Sequence, residues 1–219
     1  MSAIIGKKLG MTRVFTEDGS RVPVTVVEAA PNAITAIRRS ERDGYDAVQL
    51  AGEPMAEHKL SKAELGHLKK AGAQPMRSLV EFRDVELSSG AGEGEGEGDA
   101  AERKVGDSVT VSDFQPGERV KVSAVSIGKG FQGTIKRHNF SRGPSSHGSH
   151  NVRAPGSAGA SADPARVFPG QKMPGQLGRR RTTQRGATIV EVDAERNLLL
   201  IKGSVPGSRN ATVEVRSDG

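Results

Sequence analysis

Val120-Lys121-Val122-Ser123-Ala124-Val125-Ser126-Ile127, followed at once by Gly128-Lys129-Gly130-Phe131-Gln132-Gly133, decides how this chain is organised. Val120, Val122 and Ala124 alternate with Lys121 and Ser123, the period of a strand with one buried face, and the strand pattern runs to Ile127. The alternation stops at Gly128. It returns at Ala187 to Val192, and the 59 residues from Gly128 to Gly186 show neither a helical nor a strand period. The chain therefore reads as a β body interrupted by one long segment of different chemistry.

That segment carries Lys129, Lys136, Arg137, Arg142, Arg153, Arg166, Lys172, Arg179, Arg180, Arg181 and Arg185 against a single acid, Asp163. The whole protein has a net charge of +6, so the remainder of the chain stands at −4. The segment also holds five prolines, frequent glycines and few large apolar residues, among them Phe131, Phe140, Phe168 and Met173. It buries too little apolar surface to offset its ordering entropy, about 1–2 kcal/mol per backbone residue. A structureless loop of this length is improbable inside a compact domain. Two readings remain, a disordered basic loop and a loop that folds against RNA, and the composition favours the second. Glycine lets backbone approach phosphates, proline lowers the entropy lost on ordering, and Phe, His and Arg stack on exposed bases. Phosphate neutralisation by Lys and Arg releases condensed counterions.

On either side of this segment the strand pattern dominates. Ala3 to Ile5, Met11 to Phe15, Val22 to Glu28, Ala33 to Arg39, Ala47 to Leu50, Ser78 to Val85, Val105 to Val111, Leu198 to Lys202 and Thr212 to Val215 are short strand candidates. Asp18-Gly19 supplies a tight turn, Pro31-Asn32 a break, and Asp193 to Asn197 a hairpin connector. Closely spaced short strands predict a small barrel or a sandwich. Ser61 to Ala71 is the best helix candidate, with Ser61 and Glu64 at capping-box spacing, Leu65 and Leu68 on one face, and Gly72 as terminator. Ser88 to Glu102 is an acidic Gly-Glu tract with no large apolar residue, read as a flexible surface loop facing solvent. The expected division is a body of residues 1–127 and 187–219, including that insert, and a basic loop of 128–186.

Composition narrows the function further. Cysteine is absent, which excludes disulfides and thiolate zinc sites. No run approaches the roughly 18 apolar residues of a membrane span, and Met1 to Met11 lacks the apolar centre of a signal peptide. An intracellular, cytoplasmic protein is the expectation. Gly128 to Gly133 has the spacing of a dinucleotide loop, but no amphipathic helix follows and Arg153 stands where an acid is needed. His138, His147 and His150 lack acidic support beyond Asp163, and the surrounding positive charge opposes a dication. They suit phosphate contact or base stacking better. Ser126-Ile127-Gly128-Lys129 matches a spacing of acyl-transfer enzymes only by its letters, since it runs from a strand end. No catalytic residue, metal site or cofactor is predicted. Lys7 and Lys8, between Gly6 and Gly10, form a second small basic site: a solvated turn or a phosphate contact.

The residues then add up to a resemblance. Ile4 to Thr12 (IIGKKLGMT), Gly66 to Gly72 (GHLKKAG), Gly128 to Gly133, Lys136 to Phe140 (KRHNF) and Ser146 to Ser149 (SHGS) are similar to the bacterial large-subunit ribosomal protein L-three family. So are Arg153 to Ser157 (RAPGS), Arg166 to Gly170 (RVFPG), Lys172 to Gly175 (KMPG) and Val192 to Gly203 with Val205 to Gly207. The resemblance covers nearly the whole chain. It implies a translation-factor-like β-barrel with a short-helix insertion and a long irregular basic loop. It implies direct binding to 23S rRNA near its 3′ end, a role in subunit assembly, a loop tip near the peptidyl transferase centre, neighbouring ribosomal proteins as partners, and no enzymatic activity. The rRNA-binding residues expected are Lys7, Lys8, Lys129, Phe131, Lys136, Arg137, His138, Arg142, His147, His150, Arg153, Arg166, Lys172, Arg179, Arg180, Arg181 and Arg185. Ala160 stands where some members carry a methylated glutamine, and His138 where some carry Trp. A free nucleic-acid chaperone or DNA-binding protein, and an enzyme built on the His-rich loop, are the competing readings.

Overall fold

The computed structural model describes residues 2–83 and 103–218. The expected acidic loop of residues 88–102, and the last two residues of the strand expected over 78–85, lie outside them. Twelve strands are described: β1 (Ala3–Phe15), β2 (Arg21–Glu28), β3 (Asn32–Arg38), β4 (Ala47–Pro54), β5 (Met76–Arg83), β6 (Ser108–Val109), β7 (Arg119–Val125), β8 (Gly130–Gln132), β9 (Gly175–Leu177), β10 (Arg181–Asp193), β11 (Leu198–Lys202) and β12 (Thr212–Ser217). The helices are α1 (Ser40–Asp43), α2 (Lys62–Lys70) and α3 (Thr134–His138). By contacts the chain divides into two compact units, Met1–Val125 with Arg181–Gly219, and Ser126–Arg180.

In the first unit, six antiparallel strands close a barrel in the order β1-β12-β7-β10-β11-β2. Alternation explains why. Val120, Val122 and Ala124 of β7, Val213 and Val215 of β12, and Leu199 and Ile201 of β11 point into one buried cluster with Ile4 and Val27. A fully buried Val, Leu or Ile contributes about 1.5–3 kcal/mol. A one-residue slip in any of these strands would turn its apolar set outward. The remaining body strands do not become staves of this barrel, as a single-barrel or sandwich reading would have them. They form a separate four-stranded sheet, β5-β4-β3-β6.

Strand β1 serves both layers. Ile4 faces the barrel core, while Ala3 and Ile5, on the opposite face, join Ile34, Val48, Leu50, Phe82 and Val109 in a second core. Gly52 lets the layers meet closely, because a Cβ there would lie 3.0 Å from the Ile5 Cβ. Asn32 is 1 % exposed in this seam. Its Oδ1 accepts from the Ile5 amide at 2.7 Å, and its Nδ2 donates to the carbonyls of Ile5 at 3.0 Å and Ala30 at 2.7 Å. One side chain thus completes backbone bonding that no neighbouring strand supplies.

Helix α2 forms as its capping signals predict. The Ser61 hydroxyl accepts from the Glu64 amide, and the Glu64 carboxylate accepts from the Ser61 amide at 2.9 Å. That backbone bond, with the Ser61 hydroxyl, holds the Glu64 carboxyl below its ordinary range. Gly72 (φ 69°) ends the helix. Its amide donates to the Lys69 carbonyl and the Ala73 amide to Leu68, a Schellman closure. Leu68 is buried against Ala51 and Met76.

Several strand boundaries differ from expectation: the segments Ala3 to Ile5 and Met11 to Phe15 are one strand, β1, because Lys7 to Phe15 pairs with β2 across a register shift between Lys8 and Gly10. The strand expected over Val105 to Val111 shrinks to Ser108–Val109, because Lys104 to Asp107 makes a turn with Gly106 at φ 102° and Val111–Asp113 coils into a 3₁₀ turn. Strand β10 begins at Arg181, six residues before the expected Ala187. Residues 181–184 pair with Val125 back to Val122, and the register shifts between Gln184 and Ala187, where Gly186 sits at φ 65°.

Candidate nucleic-acid interface

In the second unit, Gly130–Gln132 pairs with Gly175–Leu177 as a short antiparallel neck. Its base is closed by Ser126. The Ser126 amide and hydroxyl donate to the Arg180 carbonyl at 2.9 and 3.0 Å, and the Arg179 amide donates to the Ser126 carbonyl at 3.1 Å. Gly178 has φ 72°, and a Cβ there would overlap the Ile127 carbonyl, so the crossing admits only glycine. The glycines that mimic a dinucleotide loop therefore build a narrow two-chain neck.

Beyond the neck comes α3, a five-residue helix where the sequence suggested none. It is stopped by Asn139 in the left-handed region, φ 59°. Thr134 is its buried residue. Arg137 donates to the Met173 carbonyl and lies over Gly175, where a Cβ would come within 2.9 Å of its Nη1. His138 Nε2 lies 3.0 Å from the same carbonyl. These two expected site residues pin the helix to the returning chain as well as facing the surface. Residues 139–174 are irregular, braced locally by the Gly143 amide on the Val152 carbonyl at 3.1 Å and by Ser157 Oγ on the Gly159 carbonyl at 2.7 Å. Gly143 is required, since its Cβ would lie 2.5 Å from the Asn151 carbonyl oxygen.

The chemistry of this unit is one-sided. Lys129, Lys136, Arg142, Arg153, Arg166, Lys172 and Arg179 are all exposed, and none stands in an ion pair among the described residues. His147 and His150 are exposed in the same stretch. Phe131 is 76 % exposed and Phe168 56 %, the latter with the Arg166 guanidinium 5.7 Å from its ring centroid. Unpaired cations among bared rings suit a polyanion with stackable bases. No group of His, Asp and Glu among the described residues could hold a metal ion.

The other expected residues lie in the first unit. Lys7 and Lys8 are on β1, Arg181 and Arg185 on β10. Lys8 Nζ donates to the carbonyls of Val205 at 2.9 Å and Gly207 at 3.1 Å, and burial lowers its pKa. Two of its three ammonium protons thus go to the protein's own backbone, while Lys7 borders a groove with Glu28, Glu53 and Arg77. Arg181 pairs with Glu214. Sequence reasoning missed Arg83 and Arg216, which line a cleft with Arg181. They are isolated cations in strands, and only the sheet topology brings them together.

Comparison with known proteins follows this geometry. The family model described as "Ribosomal protein L3" matches residues 85–198. The chain is 47% identical over 213 residues to the large ribosomal subunit protein uL3 of Acaryochloris marina, covering 97% of this chain and 94% of that one. It is 49% identical over 212 residues to the uL3 of Synechococcus elongatus, with 97% and 93% covered. It is 49% identical over 213 residues to that of Trichlorobacter lovleyi, with 97% and 95% covered.

Proposed function

The chain belongs to the ribosomal protein L3 family, a structural component of the large ribosomal subunit, and from that premise we propose that it binds 23S rRNA directly near its 3′ end, supports subunit assembly and braces RNA near the peptidyl transferase centre. The observation that carries this reading is the set of seven exposed cations within Ser126–Arg180 that have no ion-pair partner among the described residues, with bared Phe131 and Phe168 among them. Phosphates take the place that carboxylates leave vacant, and unstacked bases cover the rings. Residues 128–186 act as the RNA-penetrating element, and residues 1–127 with 187–219 as the body that anchors it. The contact residues are those of the basic segment: Lys129, Phe131, Lys136, Arg137, His138, Arg142, His147, His150, Arg153, Arg166, Lys172, Arg179, Arg180, Arg181 and Arg185, with Lys7 beside them. Lys8 joins them through its third ammonium proton, the other two holding the carbonyls of Val205 and Gly207.

The protein's role is mechanical and electrostatic, and the RNA performs the chemistry. It works in the cytoplasm within the ribosome, beside neighbouring large-subunit proteins. Limited proteolysis tests the reading. The basic segment is expected to be cleaved in free protein and protected in assembled large subunits. Equal protection in both states would overturn the idea that it settles on RNA. Stoichiometric co-purification with large subunits in high salt separates a subunit constituent from a free nucleic-acid chaperone.

A further inference from the structure

We propose that the cleft between the outer barrel wall and β5 is a separate phosphate-binding site for RNA backbone, with Arg83 and Arg216 as its ligands. The cleft is lined by Glu81, Phe82 and Arg83 of β5, and by Ser123, Arg181, Thr183, Glu214 and Arg216 of the barrel. Strand alternation puts these barrel residues on the outer wall, since Val122, Ala124, Val213 and Val215 occupy the inner one.

The two carboxylates are already committed. Glu214 pairs with Arg181. Glu81 accepts from Arg38 Nε at 3.3 Å and from the Tyr45 hydroxyl at 3.0 Å. The guanidiniums of Arg83 and Arg216 have no carboxylate within ion-pair distance among the described residues. Arg83 stacks over the Tyr45 ring, 4.5 Å from its centroid, an arrangement that orients its planar fork without neutralising it. Ser123 and Thr183 share a hydroxyl–hydroxyl hydrogen bond of 2.7 Å in the same wall, and that pair leaves a further proton to donate. Two guanidinium forks without a carboxylate partner among the described residues, and a hydroxyl pair, line a polar cleft and match a phosphate diester's oxygens.

This inference rests on the rRNA-binding reading, and one experiment keeps the two apart. Full-length protein is titrated with a 23S rRNA fragment carrying the 3′ domain while backbone amide NMR shifts are followed. Shifts at Ser123, Thr183 and Arg216 together with shifts at Lys129 and Arg153 are the expected result. Shifts in the basic segment alone overturn the cleft site and leave the rRNA-binding reading standing. No shift anywhere overturns both. In parallel, Arg83→Gln with Arg216→Gln is expected to flatten the dependence of log K on log salt by about one unit, the loss of one neutralised phosphate. Arg83→Lys with Arg216→Lys is expected to keep that slope. An unchanged slope in the glutamine variant would refute the site, and the titration of the unaltered chain decides the matter if that variant does not fold.

Discussion

Replacing Arg142, Arg153 and Arg166 by alanine tests the electrostatic reading where it is most quantitative. All three side chains are exposed and have no carboxylate partner among the described residues, so the free protein should lose no stability beyond about 0.5 kcal/mol. The seven exposed cations of Ser126–Arg180, each meeting one phosphate, should contribute about −5 to −6 to the slope of log K against log salt. Removing three should flatten that slope by roughly 2 to 3 units. If the two proteins bind equally near 1 M salt, the variant is then weaker by on the order of 100-fold at 0.1 M. Fluorescence anisotropy with a labelled 23S rRNA fragment, across potassium chloride from 0.1 to 1 M (roughly the span over which screening collapses), measures both quantities. A slope unchanged within half a unit would refute the reasoning, because charge neutralisation cannot be removed without changing it. Weaker binding at constant slope would assign these arginines to base stacking instead.

Phe131→Ala should leave the urea midpoint of the free protein unchanged, because the ring is 76 % exposed, and should weaken RNA binding by about 1–3 kcal/mol, the value of one base–aromatic stack. Asn32→Ala should lower stability by roughly 3–5 kcal/mol in urea denaturation at constant m, since it strips partners from a buried amide and two carbonyls at about 1–3 kcal/mol each, with partial relaxation; a loss under about 1 kcal/mol would mean that water replaces the side chain. Gly178→Ala should loosen the neck, read as faster hydrogen exchange at Ser126 and Lys129, because its φ of 72° and the Ile127 carbonyl both exclude a Cβ. The Lys121 ammonium, and then the Gly186 amide, hold the Asp218 carboxyl below its ordinary range. Its contribution to stability is therefore complete above the unfolded value near 3.8 and disappears as pH falls through the lower folded value; acid titration of Asp218→Asn, which should lack that component of acid sensitivity, checks it.

What the sequence revealed and what it concealed divide along a physical line. Signals that act within a few residues were legible. Ser61 with Glu64 capped a helix, Gly72 ended it, and Asp18-Gly19 turned a hairpin, each through hydrogen bonds closed locally. The alternation of residues 120–125 and 198–202 was legible too, because each strand has one wet and one dry face. The start of β10 was not. Arg181 to Arg185 holds no apolar residue, and it is a strand because its backbone pairs with β7 while its side chains stay largely exposed.

The same line explains the polar residues whose backbone partners the sequence does not show. Asn32 follows a proline and looks like turn chemistry, yet its amide is spent on a strand 27 residues away. Lys8 looks like half of a basic pair, yet its ammonium answers carbonyls 197 and 199 residues along the chain. Neither partner has a side-chain identity to announce it, since both are backbone groups whose position depends on the closed barrel. Net charge, by contrast, is additive and needs no topology. That is why the basic segment was visible from composition, while the Arg83–Arg216 cleft, assembled from two strands 133 residues apart, required the fold. Where function rests on total charge the sequence suffices, and where it rests on which charges are left unpaired, only the packed structure can say.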